Sequence, residues 1–252
     1  MGGTERAMEL TWLAVAGAFL LASFVKGTTG MGFPLIATPM VAMVVDIKTT
    51  YALLVLPNIL MDTLQIARGR PPWPLWRRLF PLLATTVVGV FLGTRILISV
   101  PERFIYLALA VMILVFLASA YLQIRLTVPP RWEGRLGPAV GFTGGVLAGI
   151  TNVVGPLTAL YLLALGFEKR EFVKAVASIF FMTKVSQLIA ISRWGLYTAE
   201  ILWWSVGLTV VALLAFLVGL RVQDRVPQQT FTRVLHVLLL GMGVVFAYRG
   251  LR

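Results

Sequence analysis

The sequence predicts an all-α integral membrane protein made of two inverted-topology repeats, each with a Gly/Pro-broken helical segment followed by three transmembrane helices. Three observations carry this. The 252 residues are 59% hydrophobic and 13% charged, with mean hydropathy +0.90, whereas a soluble domain is about 25% charged. Apolar runs of membrane-spanning length recur from end to end. An apolar segment interrupted by helix breakers occurs twice, as Lys26-Gly27-Thr28-Thr29-Gly30-Met31-Gly32-Phe33-Pro34-Leu35 and as Ala148-Gly149-Ile150-Thr151-Asn152-Val153-Val154-Gly155-Pro156-Leu157. A shift of 122 residues lays Gly27 on Gly149, Thr29 on Thr151, Pro34 on Pro156 and Leu35 on Leu157.

The runs are taken in chain order. The first, 8–26, belongs to the mature protein, because Glu5 and Glu9 flank Arg6 and deny it the basic start of a signal peptide. The next, 29–45, restarts after the first break. The third, 49–67, carries Asn58, Asp62 and Gln65; 79–99 and 104–122 follow, joined by Pro101-Glu102-Arg103. The segments 137–149 and 152–166 are short for full spans and read as half-helices around the second break. Then come 171–192, 199–220 and 231–249.

Short arginine-rich loops orient these spans, since cytoplasmic loops carry the excess of Lys and Arg. The loop 68–78 holds Arg68, Arg70, Arg77 and Arg78 without an acid; 123–136 holds Arg125, Arg131 and Arg135 against Glu133. Two spans separate them, so both are expected in the cytoplasm. In the second half 167–174, with Lys169, Arg170 and Lys174, and 221–233, with Arg221, Arg225 and Arg233, are expected inside, and the loop with Arg193 and Glu200 outside. The segment after the second break then faces in, while Asp46-Ile47-Lys48 after the first faces out. The halves are oppositely oriented, the inverted repeat of many membrane carriers. The N-terminus falls outside, and so do Arg249 and Arg252, against the rule. Trp73, Trp76, Trp194, Trp203 and Trp204 lie near span ends, where interfacial aromatics belong. The chain divides into a first transmembrane repeat at 1–122, a cytoplasmic linker at 123–136 marked by Pro129-Pro130, and a second repeat at 137–252.

Backbone opened inside hydrocarbon must be buried in protein or line a watery cavity, and one break per half points to a shared solute site. A helix that restarts after Gly-Thr-Thr-Gly offers unpaired N–H groups and the positive end of its dipole, which hold anions. Gly27, Gly30 and Gly149 let the backbone approach a solute, Thr28, Thr29 and Thr151 add hydroxyls, and Asn152 adds an amide. The competing reading is that the glycines serve close helix packing.

Lys26, just before the first break, Asp62 within 49–67 and Lys184 within 171–192 are ionisable residues set in apolar surroundings. The repeat shift places Asp62 on Lys184 and Gln65 on Gln187. Asn58, Asp62 and Gln65 share one helix face, and Thr183 or Lys184 with Gln187 forms the matching stripe. Charges at such depth face a cavity or a partner. Two readings stand side by side: Lys26 and Lys184 supply positive potential to an anion while Asp62 balances charge or carries a coupling proton, or Lys26 and Asp62 form a structural ion pair. Lys174 is expected to reach the cytoplasmic interface, Tyr51 and Tyr161 to pack, with hydroxyls offered to a cavity as the other reading, and the single histidine, His236, to be structural.

The two motifs, Gly27 to Pro34 and Gly149 to Pro156, together with the repeat, resemble the sulfite exporter TauE/SafE (TSUP) family of anion transporters. The resemblance implies export of a small sulfur-containing anion, sulfite or an organosulfonate such as sulfoacetate, across a bacterial inner membrane by a multi-pass protein. Thiosulfate-importing relatives use cysteines in the pathway; this chain has none. A passive anion channel, or an importer of a related oxyanion, would use the same lining.

The net charge of +12 sits in loops between apolar runs and marks topology, so no nucleic-acid partner is expected. The absence of cysteine excludes disulfides and thiolate metal sites. With one histidine no zinc centre is expected, and no cofactor. Ser186 and Lys184 point to different faces of one helix, which leaves no nucleophile and base set for an enzyme. The expected partners are the small anionic substrate and the lipid bilayer; a homodimer is left open.

Overall fold

Glycine in a left-handed backbone ends the first helix and sets the fold's central feature. In the computed structural model, which describes residues 2–68, 73–122, 127–153, 156–222, 240 and 243–251, α1 (Gly2–Thr29) stops at Gly30, whose φ is 86°. Two residues on, Gly32 has φ 102°, and the chain restarts as α2 (Phe33–Ala42) with Pro34 in its first turn. Such φ values are open to glycine at no steric cost, and a first-turn proline lacks only an N–H that has no intrahelical partner. The second break is built the same way. Helix α6 (Pro130–Thr151) ends on Asn152 at φ 64°, one of the few residue types that tolerate that region, and α7 starts at Pro156 (Pro156–Ala164).

The remaining helices are α3 (Ile47–Ala67), α4 (Trp73–Ser99), α5 (Glu102–Leu122), α8 (Lys169–Arg193) and α9 (Ala199–Val222). Residues 243–251 are also helical. Asp46 caps α3 by accepting the Thr49 N–H at 2.9 Å. The structure is 88% helical with no strand among the described residues. Among the described residues five helices, α1, α3, α4, α8 and α9, are long and apolar enough to cross a membrane. Large side chains such as Leu13, Phe80, Val111 and Leu214 stand exposed on helix surfaces, as on a lipid-facing protein. It is an all-α, multi-pass membrane protein.

Three boundaries differ from the sequence reading. Helix α1 continues through Gly27, Thr28 and Thr29, so the first break lies at 30–32. Helix α6 begins at Pro130, inside the expected linker 123–136, because Pro129 takes the extended cap position and Pro130 the first helical one. It is 22 residues long, no half-helix. Helix α7, at 9 residues, is one. Val154, Gly155, His236, most of the predicted 231–249 helix, and Arg70, Arg125, Arg225, Arg233 and Arg252 lie outside the described residues.

The packing is symmetric under exchange of the halves. Helix α1 lies on α9 as α6 lies on α4, α3 touches α9 as α8 touches α4, and α3 and α8 pack on each other. Two apolar clusters follow the same rule. One joins Phe19, Phe33, Leu53 and Phe216 from α1, α2, α3 and α9; the other joins Ala148, Leu162, Ile179 and Leu82 from α6, α7, α8 and α4.

Contacts also sort the loops into two ends. At one end Arg78 pairs with Glu133 at 2.7 and 2.9 Å and lies 4.7 Å from the Phe167 ring centroid, which gathers three segments that the charge rule assigns to the cytoplasm. At the other, Lys48 donates to the Ile98 carbonyl at 3.3 Å and Arg249 donates to the Ala42 and Met43 carbonyls at 2.9 and 3.1 Å. Arg249, the exception to the charge rule, is therefore bound to the C-terminal carbonyls of α2.

Candidate functional site

Each break is held by a threonine used in the same way. Thr29 Oγ1 donates to the Val25 carbonyl at 2.9 Å and accepts the Met31 N–H at 3.3 Å; Thr151 Oγ1 donates to the Leu147 carbonyl at 2.8 Å and accepts the Val153 N–H at 3.3 Å. Thr28 likewise donates to the Val25 carbonyl at 2.9 Å. These hydroxyls bond back one turn, a pattern open to Ser and Thr in helices, and shape the break. Gly27 lies against α9, where an added Cβ would run into the Phe216 carbonyl and sit 2.9 Å from Gly219 Cα; Gly149 lies against α4 beside Val90, Gly93 and Thr94. Both occupy close helix crossings.

The charged residues meet in the interior between α1, α3 and α8. Lys26, Asp62 and Lys184 are each fully buried. Lys26 Nζ donates to Asp62 Oδ1 at 2.5 Å and to Asn58 Oδ1 at 2.8 Å, and lies 5.5 Å from the Phe180 ring centroid. The ion pair weighed from sequence is thus present, and the i, i+4 spacing on α3 puts both acceptors on one face. Gln65, one turn further on, donates through Nε2 to the Gly30 carbonyl at 3.0 Å and ties α3 to the first break.

Lys184 has different surroundings. Its Nζ donates to Gln187 Oε1 at 2.8 Å, to the Asn152 carbonyl at 3.3 Å and to Asn152 Oδ1. All three acceptors are neutral. Asn152 terminates α6, so this ammonium rests on the negative end of that helix's dipole, with no carboxylate among its hydrogen-bond partners. Asn152 Nδ2 in turn donates to Thr38 Oγ1 of α2 at 3.0 Å, and Tyr51 donates to the Ile150 carbonyl at 2.9 Å. The second break is thereby clasped by residues of the first half.

Among the described residues several buried polar atoms here have no hydrogen-bond partner: Asn58 Nδ2, Gln187 Nε2, Thr183 Oγ1, Asp62 Oδ2 and Gln65 Oε1. Buried polar groups are seldom left so. The first two are amide donors beside the two lysines. Among the described residues no cluster of His, Cys, Asp or Glu could hold a metal ion.

Of the residues singled out from sequence, the structure brings together Lys26, Asn58, Asp62, Gln65 and Gly30 around the first break, and Asn152, Lys184 and Gln187 around the second. It gives Gly27 and Gly149 to helix packing and Thr28, Thr29 and Thr151 to the backbone. Sequence reasoning missed Thr38 and Phe180, and for Tyr51 it favoured packing over a hydroxyl offered to a cavity. For Thr38 the available signal was a hydroxyl inside an otherwise apolar half-helix; for Phe180 it was the repeat shift, which lays it on Asn58.

The model of the family described as sulfite exporter TauE/SafE matches residues 15–246 of the chain. No curated protein and no solved structure matches it.

Proposed function

The chain belongs to the sulfite exporter TauE/SafE family, and we propose that it is a secondary transporter that exports a small sulfur-containing anion, sulfite or an organosulfonate such as sulfoacetate, across a bacterial inner membrane. Membrane anion transport is the activity of the family, whose members are transporters rather than enzymes. The observation that carries the site assignment is Lys184, a fully buried ammonium held only by neutral oxygens. A buried charge with no carboxylate in hydrogen-bond contact is poorly compensated, and an anion brought to it removes that deficit. The unpartnered amide N–H groups of Asn58 and Gln187 are suited to the oxygens of a sulfonate or sulfite group.

Exchange-symmetric packing and one break per half support two inverted repeats that rock around a central site. Full burial of all three charged residues supports a carrier with an occluded site over an open channel. The test is a thermal-shift screen of the purified protein against sulfite, sulfate, thiosulfate, taurine, sulfoacetate and carboxylate controls, because a ligand of the folded state raises apparent stability. The proposal expects sulfur oxyanions to stabilise wild type and to leave Lys184→Gln unchanged. An equal response of the folded variant would remove Lys184 from the site.

A further inference from the structure

Among the described residues the buried charges do not cancel. With all three ionised, Lys26 and Lys184 contribute two positive charges and Asp62 one negative, which leaves one positive charge enclosed in protein. One monovalent anion neutralises the set. A divalent anion leaves an uncompensated negative charge, and unpaired charge in a dry interior is strongly disfavoured. Asp62 can absorb the difference. Its Oδ1 receives Lys26, whereas among the described residues its Oδ2 has no hydrogen-bond partner, so Oδ2 can take a proton while Oδ1 still accepts from Lys26.

We infer that Asp62 sets the valence of the cargo: the site takes a monovalent anion as it stands, and a divalent anion only together with one proton on the Asp62 carboxylate. The proton enters with the divalent anion and leaves with it, so each cycle with such a solute moves one proton in the same direction. The charged groups facing Asp62 are Lys26 from α1 and Lys184 from α8. Among the other elements packed on α3, α2 carries no charged residue, and α9 carries Glu200 and Arg221 only in its end turns. The inference rests on the proposed anion site at Lys184 and extends it to the charge of the substrate. Under it hydrogen sulfite or a simple sulfonate travels alone, and sulfoacetate, with its sulfonate and carboxylate, travels with a proton.

The test is isothermal titration of the purified full chain with methanesulfonate, monovalent throughout, and sulfate, divalent throughout, between about pH 6 and 8. In wild type, methanesulfonate sets the pH reference, because it reports any proton taken up at Lys184 itself. Relative to methanesulfonate, sulfate affinity is expected to rise about tenfold for each unit of pH fall, the slope of one further bound proton. In Asp62→Asn this excess slope is expected to vanish. The double variant Lys26→Met with Asp62→Leu keeps one net positive charge without an acid. Measured against its own methanesulfonate affinity, it should bind sulfate roughly thirtyfold more weakly at every pH, the lower end of the effect of an unpaired buried charge. Equal wild-type affinity for the two anions with equal pH slopes, or an excess sulfate slope that survives in Asp62→Asn, overturns the inference. Lys184→Gln tells the two readings apart: if it abolishes methanesulfonate binding while valence and slope fail, the site stands and the role of Asp62 falls. If wild type binds neither anion, both fall.

Discussion

The ion pair between Lys26 and Asp62 makes a stability prediction that can be worked through from its geometry. Both side chains are fully buried and 2.5 Å apart. Asp62→Asn leaves the Lys26 ammonium with amide oxygens alone, and removal of one partner from a buried pair costs about 3–5 kcal/mol. For a chain of this size each kcal/mol lowers the midpoint by about 2–4 °C, so the apparent Tm should fall by about 6–20 °C. Lys26→Met should cost a similar amount, because it strands the carboxylate. The double variant Lys26→Met with Asp62→Leu removes both charges at once and should lose less than either single change, a coupling of at least about 3 kcal/mol. The assay is thermal unfolding of the detergent-purified chain followed by tryptophan fluorescence. If the double variant loses the sum of the two single losses, the pair is not coupled and the reasoning fails.

Two further predictions concern the frame around the site. Gly27→Val should destabilise by about 1–3 kcal/mol, because the new Cβ meets the Phe216 carbonyl, Gly219 Cα and Leu220 N, all backbone that can yield only if α1 and α9 separate. Gly17→Ala on the same helix meets nothing within 4 Å and should leave the Tm near wild type. Arg249→Gln removes the guanidinium from the Ala42 and Met43 carbonyls and should cost about 1–3 kcal/mol. Hydrogen exchange should speed up at the C-terminal end of α2 and stay unchanged in α9; uniform exchange across the chain would show that Arg249 does not hold that end.

Much of the frame was legible in the sequence because it follows from local rules. Long apolar runs mark spans, arginines mark loops, and the shift of 122 residues marks the two halves. Where the sequence reading slipped, a side chain altered the local rule. Gly27, Thr28 and Thr29 read as a break, but the hydroxyls of Thr28 and Thr29 return to the Val25 carbonyl and the helix continues to Thr29. Pro129-Pro130 read as linker, yet a proline in the first turn of a helix forfeits nothing. Arg249 read as a topology anomaly because its partners, the carbonyls of Ala42 and Met43, are more than 200 residues away in sequence. The site was legible as a set of residue types and illegible as a set of contacts. The equivalence of Asp62 and Lys184 under the repeat was plain. That Lys26 pairs with Asp62 while Lys184 turns to the end of α6 depends on which residue stands one helix away, and a single chain of letters does not contain that.

The central claim is that the Lys184 ammonium, beside the second break, holds the transported anion. Counterflow exchange of labelled sulfite or sulfoacetate in proteoliposomes measures this most directly, with wild type and Lys184→Gln compared at equal incorporated protein. Loss of a buried charge partner predicts an exchange rate at subsaturating substrate lowered by roughly thirtyfold or more, while the variant keeps its helical content and elution volume. A folded Lys184→Gln variant that exchanges substrate at the wild-type rate would contradict the account.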